Sequence, residues 1–291
     1  MIKRTILYTI LFVALTGCAL NKIYLAPFDL ESNSTFNYVD EITEDTLVFG
    51  FDKSLQPILR DTADNFRSFP FDLQAHFFAN NRGDTLSAWL ASPKESNGKS
   101  IYFLHGNAGH LVYHLRLFEP FVKQGYHVFA IDYSEFGFSQ GKAKRKQIYQ
   151  DALYGFEYMK TLDVPNQFIL YGQSLGGHLA ASIAHEWQDK LLGLVVEGAF
   201  SSHRDIAAQK VPILGRILVR EIYNGRKNIA KFNGPKLIIH STEDETISLD
   251  HGQRLFESAN QPKQFLEIDK PHIRGPIYYS DTIEHIISEW K

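Results

Sequence analysis

The stretch Phe168-Ile169-Leu170-Tyr171-Gly172-Gln173-Ser174-Leu175-Gly176-Gly177 decides how the rest of the chain is read. Phe168–Tyr171 is an apolar run of strand length, and it leads straight into G-x-S-x-G. A segment with helical spacing follows, from Leu175 to about Trp187. A serine in so sharp a strand-to-helix turn needs small neighbours two residues away on either side, and Gly172 and Gly176 meet that need. The helix N-terminus beneath Ser174 favours negative charge there. The Leu175 N–H is expected to point at a developing oxyanion. Ser174 is therefore the candidate nucleophile. A glycine-rich turn without chemistry is the plainer reading, and the strand–turn–helix context argues against it.

Working outward, Ser100–Leu104 is a second strand-like run, followed by His105-Gly106-Asn107-Ala108-Gly109. A loop at that point can bring a second backbone donor to the oxyanion; the Asn107 N–H is the candidate, with Gly106 the alternative. A serine hydroxyl also needs a base, and the base needs an orienting acid. In the order Ser, then acid, then His, the base belongs after the last strand. His272 stands there, in Glu267-Ile268-Asp269-Lys270-Pro271-His272. Asp244, in His240-Ser241-Thr242-Glu243-Asp244-Glu245, follows the preceding strand and is the candidate acid; Glu197 is the alternative. His178 and His185 fall inside a helix, and His240 ends a strand, so none of them suits the base.

Apolar runs alternate with helix-length segments from Leu73 onward. Strands are expected at 73–78, 86–91, 100–104, 127–131, 168–171, 192–196, 236–240 and 265–268. Asn80-Asn81-Arg82-Gly83-Asp84 marks a hairpin between the first two. Helices are expected at 111–123, 148–162, 175–187, 250–258 and 278–290. Strands alternating with helices imply an α/β fold, here a mostly parallel eight-stranded sheet covered on both faces. Residues 18–71, polar but rich in aromatics such as Tyr38, Phe49 and Phe51, are expected to form a tether and an extension packed on the 72–291 domain.

These motifs resemble the α/β-hydrolase superfamily. His105 to Gly109, Asp132-Tyr133 with Phe136-Gly137-Phe138-Ser139-Gln140-Gly141, the Ser174 turn and His240 to Asp244 all match. The chain is most similar to the small-lidded serine hydrolases, the monoacylglycerol-lipase-like and serine-aminopeptidase-like proteins, and to the acyl-protein thioesterases. The resemblance implies cleavage of carboxylic esters or thioesters through an acyl-enzyme. A peptidase or amidase on the same triad, or a catalytically silent binding protein, are the alternatives. No cofactor or metal is implied. Ser134-Glu135 stand where the superfamily usually has Arg-Gly, His110 replaces a common Asn, and Ser241 replaces a usual Gly.

The N-terminus points to a membrane. Lys3 and Arg4 precede an apolar run, Ile6 to Leu15, which is shorter than the about 20 residues a bilayer span needs but right for a signal-peptide core. It ends in Leu15-Thr16-Gly17-Cys18, which resembles a bacterial lipobox. Lipidation of Cys18 after loss of residues 1–17 is the expectation, giving a membrane lipoprotein. Ala19, not Asp, follows the cysteine, which favours the outer membrane, facing the periplasm. Cys18 is the only cysteine, so no intramolecular disulfide can form. Lys+Arg 30 against Asp+Glu 33 leaves a net charge of −3, which gives no reason to expect nucleic acid.

Between Glu197 and Pro235 there is room only for a short cap, about residues 201–233, so an open site is expected. Val211 to Tyr223 reads as amphipathic, with Ile213, Leu214, Ile217, Leu218 and Ile222 at helical spacing. Its apolar face either packs on the core, lines an acyl-chain pocket or meets the membrane. His110 and His114 are spaced as metal ligands but lack the acidic third partner, so a packed pair is the plainer reading. Lys142, Lys144, Arg145 and Lys146 read as a solvated helix start.

Overall fold

The structure, a computed structural model, describes residues 25–39 and 45–291. Cys18 and the rest of the expected leader lie outside the described residues. The chain begins with β1 (Ala26–Pro27) and then forms a four-stranded antiparallel sheet: β2 (Phe36–Val39), β3 (Thr46–Phe51), β4 (Pro57–Arg60) and β5 (Phe66–Arg67). The hairpin β6 (Asp72–Ala79) and β7 (Thr85–Ser92) follows. Next come β8 (Ser100–Leu104), β9 (Ala108–Gly109), α1 (Leu111–Lys123), β10 (His127–Ile131) and α2 (Arg145–Met159). β11 (Phe168–Gln173) leads into α3 (Leu175–Ile183), and β12 (Leu191–Glu197) into the cap helices α4 (His203–Lys210), α5 (Pro212–Leu218) and α6 (Gly225–Ile229). The chain ends with β13 (Lys236–Ser241), α7 (Leu249–Ser258), β14 (Lys263–Ile268), α8 (Gly275–Tyr278) and α9 (Ser280–Ser288).

Among the described residues the central sheet has eight strands in the order β14-β13-β12-β11-β8-β10-β7-β6. β8 and β10 to β14 run parallel, while β7 is antiparallel to both its neighbours. This is the expected mostly parallel α/β sheet. Strand side chains alternate faces, so β8 divides its residues: Tyr102 and Leu104 enter one core with Ile148, Phe156 and Leu179. Ile101 and Phe103 enter the other with Phe118, Phe121 and Ile287. Both faces are thus dry, and the parallel strands expose reactive groups only at their carboxyl ends.

The four-stranded sheet falls within residues 18–71, and its strands are not read from the sequence. Its aromatics complete the second core. Phe49 is 1% exposed and stacks on Trp89 of β7, with ring centroids 5.6 Å apart. The Tyr38 hydroxyl donates to Glu119 Oε1 of α1 at 2.7 Å. The expected final helix is α9, and a short separate helix, α8, precedes it; Tyr279, at φ −130° and ψ 20°, leaves the helical region between them. Arg145 corrects the solvated-run reading: it is buried, and its Nη1 donates to the Arg220 carbonyl of the cap. Among the described residues, no helix is long and apolar enough to cross a membrane.

If the N-terminal sheet is part of the domain core, Phe49→Ala will lower the unfolding free energy by about 3–5 kcal/mol. Urea unfolding should show a lower midpoint at unchanged slope. Phe66→Ala, at a ring 67% exposed, should stay within about 0.5 kcal/mol of the parent. Equal, small effects would separate the sheet from the core.

Candidate active site

Ser174 stands between the last residue of β11 and the first of α3, with φ 55° and ψ −114°. Positive φ is uncommon for a residue with a Cβ, and it turns the chain sharply enough to lift the hydroxyl over the strand ends. The glycines make this turn possible. A Cβ on Gly176 would lie 2.0 Å from the Leu104 carbonyl oxygen, and one on Gly172 would lie 2.2 Å from the Gly176 oxygen. The helix can therefore pack against β8 only because these residues lack side chains. The Ser174 N–H is fixed by the Glu197 carbonyl at 2.8 Å.

Two of the expected residues bond directly, and the third, Ser174, packs by Gly106 together with Ile273, the neighbour of His272. Nδ1 of His272 donates to Asp244 Oδ2 at 2.5 Å. The other carboxylate oxygen, Oδ1, accepts from the Thr246 and Ile247 N–H groups at 2.9 Å each. Burial by itself raises the Asp244 carboxyl. The hydrogen bond and charge of His272, with the two backbone donors, outweigh that and hold it below its ordinary value. The side chain of Asp244 is 1% exposed and that of His272 is 19%, so the ring faces the opening and the acid lies behind it. Gly198 adjoins the Glu197 carbonyl that holds Ser174, and a Cβ there would sit 3.2 Å from His272 Nδ1. Among the described residues no hydrogen bond joins the Ser174 hydroxyl to the ring; in unliganded sites such bonds are often long and tighten when substrate seats.

The turn after β8 closes the other side of Ser174. A Cβ on Gly106 would lie 3.5 Å from Ser174 Cβ. Leu175 opens α3, so its N–H is one of the donors a helix leaves without an intrahelical partner. Asn107 lies on the same turn as Gly106, and its side chain is already engaged: Oδ1 accepts from Ala26 N at 2.8 Å. His110 packs edge-on against Phe36, with centroids 5.4 Å apart, and His114 stacks on His105 and bonds the Ala108 carbonyl at 2.8 Å. They brace the turn. Another group of metal-capable side chains, His178, His203 and Glu221, lies under the cap. There Glu221 accepts from His203 N at 2.8 Å, a bond within the cap, and His178 Nδ1 binds the Phe200 carbonyl at 2.8 Å, which holds the chain entering the cap against α3.

Glu197 is not the partner of His272. Its Oε2 accepts from the Tyr171 hydroxyl and from Gln173 Nε2, each at 2.7 Å, and its Oε1 accepts from Gly275 N at 2.7 Å. Burial raises its pKa despite these bonds. Gln173 Nε2 also reaches the Ile273 carbonyl at 3.3 Å. Ile273 itself has φ 54°, a costly conformation for a β-branched residue. Glu197 and Gln173 therefore pin the strained loop that presents His272. A buried acid at a strand end was the sequence signal; that it holds backbone rather than imidazole depends on the approach of a distant loop.

The family described as Serine aminopeptidase, S33, matches residues 95–225. The protein YfhR of Escherichia coli (strain K12) is 28% identical over 234 residues, covering 75% of this chain and 82% of its own length. The lysophosphatidylserine lipase ABHD12 of Danio rerio is 26% identical over 230 residues, covering 69% of this chain and 60% of its own. Of solved structures, the Pyrococcus furiosus esterase Pf2001 superposes with a TM-score of 0.63 at 17% identity, over 77% of this chain and 95% of that one. The fold is that of the α/β-hydrolases.

Replacing Glu197 by Gln leaves one donor facing an NH2 group. Glu197→Gln should lower stability by about 1–3 kcal/mol, the cost of leaving a buried donor unpaired. Hydrogen exchange at Gly275 should rise with it. An unchanged midpoint and unchanged exchange would show that the Gly275 bond does not hold the loop.

Proposed function

We propose that this α/β-hydrolase is a membrane-anchored serine hydrolase that cleaves carboxylic esters or thioesters through an acyl-enzyme. The observation that carries this reading is the His272–Asp244 pair at 2.5 Å, seated beside the strained Ser174 turn. Ser174 Oγ attacks the carbonyl carbon, and its proton passes to Nε2 of His272. The Asp244 carboxylate holds Nδ1–H and stabilises the imidazolium. The oxyanion is bound by the Leu175 and Asn107 N–H groups, with Gly106 the alternative on the same turn. Collapse of the tetrahedral intermediate breaks the bond to the leaving oxygen or sulfur, which takes the proton from His272. Water then attacks the acyl-serine with His272 again as base, and the second tetrahedral intermediate breaks its bond to Ser174 Oγ, which takes the proton from His272 as the carboxylic acid leaves. Every group in this cycle belongs to the chain.

The lysophosphatidylserine lipase and esterase similarities support an acyl-ester substrate. The serine aminopeptidase match supports the second reading, a peptidase or amidase on the same residues. Lipidation at Cys18 would hold the enzyme on a bacterial membrane, in the outer membrane facing the periplasm by the Ala19 reading. Several acyl chains, at about 0.8 kcal/mol per buried methylene, anchor firmly where one does not.

Ser174→Ala should abolish both fluorophosphonate labelling and ester hydrolysis while leaving the circular dichroism unchanged. Asp244→Asn should lower kcat about 10⁴-fold, near 5 kcal/mol of transition-state stabilisation. A panel of p-nitrophenyl esters, thioesters and aminoacyl amides decides the substrate: turnover of the amides alone would sink the esterase reading. Metabolic labelling with a fatty-acid analogue should mark the parent and not Cys18→Ala; equal labelling of both refutes the anchor.

A further inference from the structure

The N-terminal segment does not approach the domain from behind. It crosses the carboxyl ends of the central strands. β1 pairs in parallel with β9, so Ala26 and Pro27 lie alongside Ala108 and Gly109. Ala26 N bonds the side chain of Asn107, on the turn beside Ser174. Farther on, Gly137 N donates to the Phe28 carbonyl at 2.9 Å and Leu30 N to the Gly137 carbonyl at 3.1 Å. Leu25 and Leu30 are buried and fasten this crossing at both ends, while the Phe28 ring between them is 58% exposed.

Large apolar side chains are exposed on segments that follow the carboxyl ends of the central strands. Phe28 and Tyr113, 58% and 55% exposed, stand by the loops after β8 and β10. On the cap, which follows the carboxyl end of β12, Ile213 is 76% exposed and Ile217 70%; both line a pocket with Ser248 and His251 at the start of α7, and Val211 precedes them at 51%. The amphipathic stretch read in the sequence therefore does not pack its Ile213–Ile217 edge on the core. Arg216, paired with Asp205 at 3.2 Å, and Arg220, both exposed, flank that edge. Large side chains this exposed are unusual unless a surface covers them.

The chain outside the described residues says what that surface is. Cys18 precedes Leu25 by seven positions. Fully extended, that span reaches at most about 25 Å. A globular body of this length is about 50 Å across. A lipid on Cys18 thus keeps the leaflet within half a molecular diameter of the catalytic rim, whatever the orientation.

We propose that the rim formed by Phe28, Tyr113, Val211, Ile213 and Ile217 docks on the lipid leaflet that holds the Cys18 anchor, so that the enzyme takes acyl esters resident in that leaflet. This rests on the anchored-esterase reading above. The tether confines the rim near the surface, the isoleucines and Phe28 enter the acyl boundary, and the arginines meet anionic headgroups. The ester then reaches Ser174 sideways from the membrane without crossing water. Esters already in solution need no docking, because the cap is short and does not have to open for them.

The test uses the full lipidated chain in vesicles of phosphatidylethanolamine and phosphatidylglycerol. The native tryptophans, Trp89, Trp187 and Trp290, are 1%, 7% and 9% exposed and serve as a constant background. Ile213→Trp adds a reporter on the rim; Lys190→Trp adds one at the opposite end, just before β12. With brominated acyl chains, the added emission of Ile213→Trp should fall about twofold and that of Lys190→Trp should hold. Equal quenching, or none, overturns the proposal. Burial of the Ile213→Trp reporter without vesicles, together with a doubled mass, assigns the patch to a second copy and also overturns it. In the second arm, Ile213→Asp with Ile217→Asp should cut hydrolysis of vesicle-borne 1-oleoylglycerol about tenfold or more and leave p-nitrophenyl butyrate within about twofold. Equal loss on both esters puts these residues in the reaction itself and overturns the docking role. Failure of the underlying reading looks different: an unaltered chain that hydrolyses neither ester refutes the esterase, and one that takes up no fatty acid refutes the anchor. The quenching result is read independently of both.

Discussion

A carboxylate almost without solvent, that of Glu197, joins the parts on which the site depends. Its backbone carbonyl fixes the Ser174 N–H, and its side chain holds Tyr171, Gln173 and Gly275. A charge this deeply buried is costly unless its oxygens are fully hydrogen-bonded. Here the donors come from the strand before Ser174 and from the loop after His272. The energetic demand of one buried group thereby becomes a geometric constraint: the serine strand and the histidine loop cannot drift apart without stranding a carboxylate.

That constraint allows strain to persist. Ser174, Ile273 and Glu135 all have positive φ and all lie at the carboxyl ends of the sheet. Such conformations cost of order 1–3 kcal/mol each and survive only where the surroundings over-determine them. For Ser174 the surroundings are the bare contacts of Gly172 and Gly176 with neighbouring backbone. For Ile273 they are the bonds from Gln173 and to Glu197. Glu135 is held by Lys142 at 2.6 Å and by the Ala143 N–H at 2.7 Å.

The N-terminal region links this site to the rest of the molecule in two ways. Its four-stranded sheet adds Tyr38, Leu47, Phe49 and Leu59 to the core behind β8 and α1. The short β1 segment before it crosses the turn beside Ser174 instead. One stretch of chain therefore contributes to stability through its aromatics and to the position of the active face through a few backbone hydrogen bonds.

The sequence by itself determined the order of the central strands and helices, the serine turn, and the candidate acid and base. Those features are local: hydrophobic periodicity reports burial within a few residues, and a turn too tight for a Cβ leaves glycines at fixed spacing. Chain order favours Asp244 over Glu197 as the candidate acid, but which carboxylate the imidazole bonds is a matter of the fold. Glu197 ends β12 and Asp244 lies in the loop after β13, and only the closing of the 269–275 loop brings imidazole to one and a backbone N–H to the other. The strands of residues 36–67 escaped the reading because their burial depends on Trp89 and Phe118, far along the chain. The exposure of Ile213 and Ile217 was equally hidden, since amphipathic spacing shows that a helix has an apolar face but not what that face meets. Non-local contact was missing in each case, and tertiary structure is what supplies it.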